Sequence, residues 1–137
     1  MRHLAIDFGV KRIGLAVCDS SEKIVSPLET VNRKDDAQSI RRIAKVIADE
    51  GIEAVVVGLP VNMNGSEGPQ ARRTREFADL LAKSITIPLH FQNEQLSSFA
   101  ADDRLAIREL TKLGARRRQD AVAAAIILAG FLDARRR

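Results

Sequence analysis

Residues 3–18 read His3-Leu4-Ala5-Ile6-Asp7-Phe8-Gly9-Val10-Lys11-Arg12-Ile13-Gly14-Leu15-Ala16-Val17-Cys18. Two apolar runs, 3–8 and 13–18, flank Gly9-Val10-Lys11-Arg12, a spacer whose length and glycine suit a hairpin connection. The chain therefore opens antiparallel. After the polar stretch Asp19 to Lys23, a third extended run covers Ile24 to Val31, where Pro27 predicts an edge or bulged position. From Asp36 the period becomes helical: Ile40, Ile43, Ala44, Ile47 and Ala48 share one face, Arg41, Arg42, Lys45 and Asp49 the other, and Gly51 ends the helix. Ala54-Val55-Val56-Val57 alternates with nothing polar, as expected of a strand buried on both faces of a parallel sheet. The segment from Gly58 to Pro69 reads as loop. A second helix follows from about Gln70, then a fifth strand over Ile85 to Phe91. Helical patterns resume at Ser97 to Leu113 and, past Gly114, at Ala121 to Leu132, the last apolar almost all round. The expected fold is α/β: a mixed five-stranded sheet, three antiparallel strands then two parallel, with helices on both faces.

The chain has 137 residues, 45% of them hydrophobic and 29% charged, which predicts one soluble domain over 1–137. Without Trp or Tyr, and with only five Phe, it has little from which to build a base-stacking platform. The lone Cys18 excludes an internal disulfide, and two His give no ligand set for a structural zinc. No apolar run approaches the ~18 residues of a membrane span, and the N-terminal residues lack the apolar stretch of a secretion signal. A cytoplasmic protein without a membrane partner is expected. The formal charge of +4 is unevenly spread. Residues 1–103 hold 13 basic and 15 acidic side chains, whereas residues 104–137 hold 9 basic and 3 acidic. A basic flank on a near-neutral body suits a phosphate-backbone partner.

Functional groups of open α/β sheets collect at the carboxyl ends of the strands. Asp7 stands near the end of the first strand among apolar neighbours, where a carboxylate is costly unless it caps the Gly9 turn or meets a cation. Glu94 follows the fifth strand, where it reads as a capping or solvated loop residue or, if the first, fourth and fifth strands are parallel neighbours, emerges from the same edge as Asp7. Asp120 opens the last helix, where an aspartate serves as N-cap or complements the helix dipole. If that helix docks on the sheet, three carboxylates converge in a hard oxygen set suited to Mg²⁺ or Mn²⁺. Two such ions can activate water and stabilise a leaving oxygen in phosphodiester cleavage. Lys11 and Arg12 on the first turn, Asn64 and Gly65 in the Gly58–Pro69 loop, and Arg72 and Arg73 on the following helix are candidate phosphate contacts. So are Arg108, Lys112 and Arg116, which continue a four-residue row from Arg104.

Asp7-Phe8-Gly9-Val10-Lys11-Arg12-Ile13-Gly14-Leu15-Ala16, the Gly58-Leu59-Pro60 to Gly65 loop, Asn93-Glu94-Gln95-Leu96-Ser97-Ser98, and Asp120 before Ala123 to Leu128 together resemble the YqgF (RuvX) family of bacterial ribonuclease-H-like proteins. The resemblance runs in order along nearly the whole chain. It implies a ribonuclease-H-like sheet, a nuclease that trims the 5′ end of precursor 16S ribosomal RNA, and metal binding at Asp7, Glu94 and Asp120. A Holliday junction resolvase acting on DNA is the family's other implied activity. The family motif places Asp and Arg on either side of the central glutamate, where this chain has Asn93 and Gln95. With that pair goes a charge pair that could support Glu94.

Three other readings compete. Sugar-kinase and actin-like ATPases also begin with an Asp-x-Gly hairpin, but they need a second domain. A non-catalytic nucleic-acid or ribosome-associated module would keep the basic flank without efficient cleavage. A junction resolvase would act as a homodimer; the processing nuclease suits a monomer or a homodimer.

Overall fold

The computed structural model describes residues 1–94 and 119–136. Its strands are β1 (His3–Phe8), β2 (Arg12–Cys18), β3 (Val25–Asn32), β4 (Ala54–Leu59) and β5 (Leu89–Asn93); its helices are α1 (Asp36–Glu50), α2 (Pro69–Ser84) and α3 (Gln119–Arg135). The sheet order is β3-β2-β1-β4-β5. β1 runs antiparallel to β2, and β2 to β3, while β1–β4 and β4–β5 are parallel. This is the mixed sheet expected from the sequence. The predicted helix over Ser97 to Leu113, with Arg108 and Lys112 on it and Arg116 beyond, lies outside the described residues.

Local chemistry accounts for the element boundaries. Pro27 sits in the edge strand β3 where the register with β2 shifts between Leu15 and Ala16, so edge and bulge coincide. Asp35 caps α1, its carboxylate accepting the Gln38 N–H at 2.8 Å. Gly51 ends that helix in the left-handed region (φ 64°), its N–H donating to the Ile47 carbonyl. β4 is buried throughout, as an all-apolar central strand must be. The fifth strand differs from expectation: it begins at Leu89, not Ile85. Ile85 and Ile87 are apolar because they pack on the core, while Pro88, which has no N–H, only accepts a bond from Val55 N–H.

Two layers cover the sheet. Leu4, Ile6, Phe8, Ile13, Leu15, Val55 and Val57 face α1 and α2, meeting Ile40, Ile43, Val46, Phe77 and Leu81. The opposite face carries Ala5, Ala16, Cys18 and Val56, covered by Ala124, Ala125, Ile127, Leu128 and Leu132 of α3. Period-2 alternation in β1 thus sends Leu4, Ile6 and Phe8 one way and Ala5 and Asp7 the other. Near its far end α3 is tied back by Arg135, which donates to His3 Nε2 at 2.9 Å and pairs with Glu22 at 3.2 Å. His3 is fully buried, and that burial holds its pKa below the usual imidazole value, keeping it an acceptor.

Candidate active site

The carboxyl ends of β1, β4 and β5 and the start of α3 meet at one edge of the sheet. Asp7 lies on the α3 face, opposite Gly14 in the β1–β2 register. Ile6 pairs with Val57, so the next residues, Asp7 and Gly58, stand side by side on that face. Burial raises the Asp7 carboxyl to about 6, the negative charge of Asp120 adds to the rise, and a side-chain hydrogen bond with Glu94 opposes it. The side-chain bond of Asp7 therefore goes to Glu94 and not to the Gly9 turn.

Glu94 is the first residue beyond β5, and its N–H donates to the Leu59 carbonyl at 2.9 Å, extending the β4–β5 pairing by one residue. Its carboxylate lies over Gly58. Asp120 occupies the first turn of α3, where the helix dipole favours an anion. The backbone of Asp120 rests on Gly14: a Cβ there would stand 1.8 Å from the Asp120 carbonyl oxygen. Only glycine permits so close an approach of strand and helix. The Asp120 side chain accepts a bond from Arg12 Nε at 2.9 Å, and the Arg12 side chain is 60% exposed.

The three carboxylates are thus brought to one place in two parts. Asp7 and Glu94 are in hydrogen-bond contact, while Asp120 acts on Asp7 through its charge and is held by Arg12. Among the described residues no group of three His, Cys, Asp or Glu stands ready to hold one ion in this arrangement. The donor chemistry nevertheless fits a hard divalent cation: every donor is a carboxylate oxygen, and two carboxylates in contact need a shared proton or a cation between them.

The candidate phosphate contacts fare differently. Lys11 and Arg72 are exposed, with no ion pair among the described residues. Arg73 is engaged: it binds Asp36 at 2.9 Å and lies over the Phe8 ring at 5.1 Å. Asn64 and Gly65 sit at the tip of a loop closed on itself. There, Asn62 N–H bonds to Ser66 O, Gly65 N–H to Asn62 O and Ser66 N–H to Asn64 Oδ1, so these three backbone donors are satisfied within the loop.

Gly14, Gly58 and Arg33 were not among the sequence candidates. Arg33 bonds to Asp36 and to the Val10 carbonyl, bracing the turn that carries Lys11 and Arg12. The two glycines did leave a signal, since glycine inside an otherwise apolar strand marks a close approach.

A family model described as RuvX, Holliday junction resolvase, matches residues 1–134. An Anaeromyxobacter sp. (strain K) protein named "Putative pre-16S rRNA nuclease" is 44% identical over 135 residues, covering 98% of each chain. A Chloroflexus aurantiacus protein of the same name is 40% identical over 133 residues, covering 97% of this chain and 87% of its own. Among solved structures, Thermus thermophilus RuvC aligns with a TM-score of 0.68 at 19% identity, covering 99% of this chain and 96% of that one. The fowlpox virus Holliday junction resolvase gives 0.61 at 11%, covering 98% and 99%. The structural likenesses establish the fold, and the family model and the near full-length relatives establish the kinship: this chain belongs to the RuvX family.

Proposed function

We propose that this protein is a divalent-metal-dependent nuclease that processes the 5′ end of precursor 16S ribosomal RNA by phosphodiester hydrolysis. The observation that carries the reading is the buried Asp7–Glu94 contact beside Asp120, at the strand ends of a RuvX-family fold. Asp7, Glu94 and Asp120 would hold Mg²⁺ or Mn²⁺. A divalent cation there supplies Lewis acidity at the phosphodiester and a water nucleophile at neutral pH. Glu94 orients Asp7 through their side-chain hydrogen bond. Arg12, exposed beside Asp120, and Lys11 and Arg72, exposed and without an ion pair among the described residues, are placed to meet phosphate oxygens; Arg73 and Arg33 shape the surface through Asp36 and Phe8. Asn64 and Gly65 would contribute from the loop tip. Arg108, Lys112 and Arg116 belong to the same proposal on charge alone.

The proposal takes 1–137 as one domain working in the cytoplasm as a monomer or homodimer. No helix of the described residues is long and apolar enough to cross a membrane. The family's description favours a second substrate, the four-way DNA junction. Purified protein is incubated with precursor ribosomal RNA and with a DNA four-way junction, in Mg²⁺ or Mn²⁺, beside Asp7→Asn, Glu94→Gln and Asp120→Asn. Cleavage of RNA that each substitution abolishes is expected. Cleavage confined to the junction would transfer the reading to DNA, and cleavage indifferent to all three substitutions would remove the site.

A further inference from the structure

Gly58 occupies an interior position of β4, paired with Gln92 of β5. Among the described residues those with positive φ are Glu22, Gly51 and Gly65, so Gly58 is not required by backbone conformation. In a central strand a β-branched residue would fit the backbone better, and glycine there weakens the strand by leaving nothing to pack. The reason for glycine is space. A Cβ at 58 would stand 2.3 Å from Glu94 Oε1, 3.0 Å from Glu94 Cδ and 2.4 Å from Ile127 Cδ1. Two side chains from different elements therefore pass over the same bare stretch of backbone, one the carboxylate from the end of β5, the other a core residue of α3.

We propose that Gly58 is a positioning residue for the reaction: the missing side chain is the room in which the Glu94 carboxylate lies, within reach of Asp7. The inference rests on the nuclease reading for the identity of the reaction, but the placement of Glu94 over Gly58 stands on geometry alone. Gly58 differs in this from Gly14, where an added Cβ meets the backbone of Asp120 and Ala121. At 58 the obstructing atoms are the movable ends of two side chains, so Gly58→Ala can fold with Glu94 and Ile127 displaced. The two displacements separate by chemistry. Ile127→Val deletes the Cδ1 that obstructs the new methyl and leaves the conflict with Glu94 intact.

The experiment compares wild type, Ile127→Val, Gly58→Ala and Gly58→Ala/Ile127→Val in three measurements. The first, in EDTA, is the non-additivity of Asp7→Asn and Glu94→Gln in unfolding temperature. The second is Mn²⁺ affinity from the paramagnetic resonance signal of the free ion. The third is kcat and KM on precursor RNA. Gly58→Ala should lower the unfolding temperature, and adding Ile127→Val should restore most of it. In that double variant the Asp7–Glu94 coupling should vanish, Mn²⁺ binding should weaken by about 10- to 100-fold, and kcat should fall with KM little changed. If coupling and Mn²⁺ affinity instead return to those of Ile127→Val alone, Gly58 serves packing only and the assignment is overturned. A wild type that shows the coupling but neither binds Mn²⁺ nor cleaves would refute the nuclease reading and leave the placement of Glu94 standing. A wild type without the coupling would overturn the placement itself.

Discussion

The two faces of the sheet are built from different residues for different ends. Toward α1 and α2 the strands present Leu4, Ile6, Phe8, Ile13, Leu15, Val55 and Val57, and the helices answer with isoleucine, valine, leucine and Phe77. Toward α3 they present Ala5, Asp7, Gly14, Ala16, Val56 and Gly58, and the helix answers with Ala124, Ala125, Ile127, Leu128 and Leu132. Large side chains bury more apolar area each, about 25 cal/mol per Å², so the first face supplies most of the hydrophobic stabilisation. Small side chains let backbones approach. On the second face this brings the start of a helix onto a strand and three carboxylates to one edge. A face tuned for stability would have no room for them.

The largest effect that separates the faces is expected at Phe77, which is fully buried and stacks on Phe8 at 4.6 Å between ring centroids. Phe77→Ala should cost about 3 to 5 kcal/mol in chemical denaturation. Cleavage per folded molecule should hardly change, because the site lies on the other side of the sheet. A lost activity at unchanged stability would break the division.

The intermediate effect is the converse. Folding raises the Asp7 pKa to about 6, above its unfolded value, so the folded state holds this proton more tightly than the unfolded chain does. In EDTA its contribution to stability is complete below about pH 4 and is lost as pH rises through about 6, a swing of about 3 kcal/mol. Asp7→Asn keeps the shape without the charge. It should flatten that slope and stabilise the protein at pH 7.5 while abolishing cleavage. A stability–pH curve identical to wild type would sink the buried-carboxylate account.

The smallest effect lies on the surface between the faces. Arg72→Ala should leave stability within about 0.5 kcal/mol and reduce the slope of log affinity against log salt on single-stranded RNA by about 0.7. Arg73→Ala makes the sharper control: it removes a partner of Asp36 and a cover of Phe8, so stability should fall with it. Equal behaviour of the two would erase the distinction between a free and an engaged arginine.

Much of this architecture is local in origin and therefore legible in the chain. The Gly9 to Arg12 spacer between two apolar runs implies the hairpin, the unbroken apolar Ala54 to Val57 implies the centre of a parallel sheet, and the all-round apolar last helix implies docking. The three carboxylates stand out as charges at strand and helix ends. What escapes is set by contacts between distant segments. Arg12 and Asp120, paired at 2.9 Å, are 108 residues apart, and nothing in either neighbourhood specifies the other. The isoleucines at 85 and 87 read as strand because an apolar residue on the core looks the same whether or not its backbone joins a ladder. The N–H groups of Asn62, Gly65 and Ser66 in the 60–68 loop are bonded within the loop itself, a closure that residue type alone does not announce.

Helix α3 follows β1 to β5 in the chain, yet its first turn brings the third carboxylate and its Ala124, Ala125, Ile127, Leu128 and Leu132 close the second face. A nascent polypeptide lacking α3 has a sheet with one finished side and one bare side, and its Asp7 and Glu94 lack Asp120. Completion of the site therefore waits until α3 has been made and has docked on the sheet. Until then Asp7 and Glu94 stand at the strand ends without the third carboxylate.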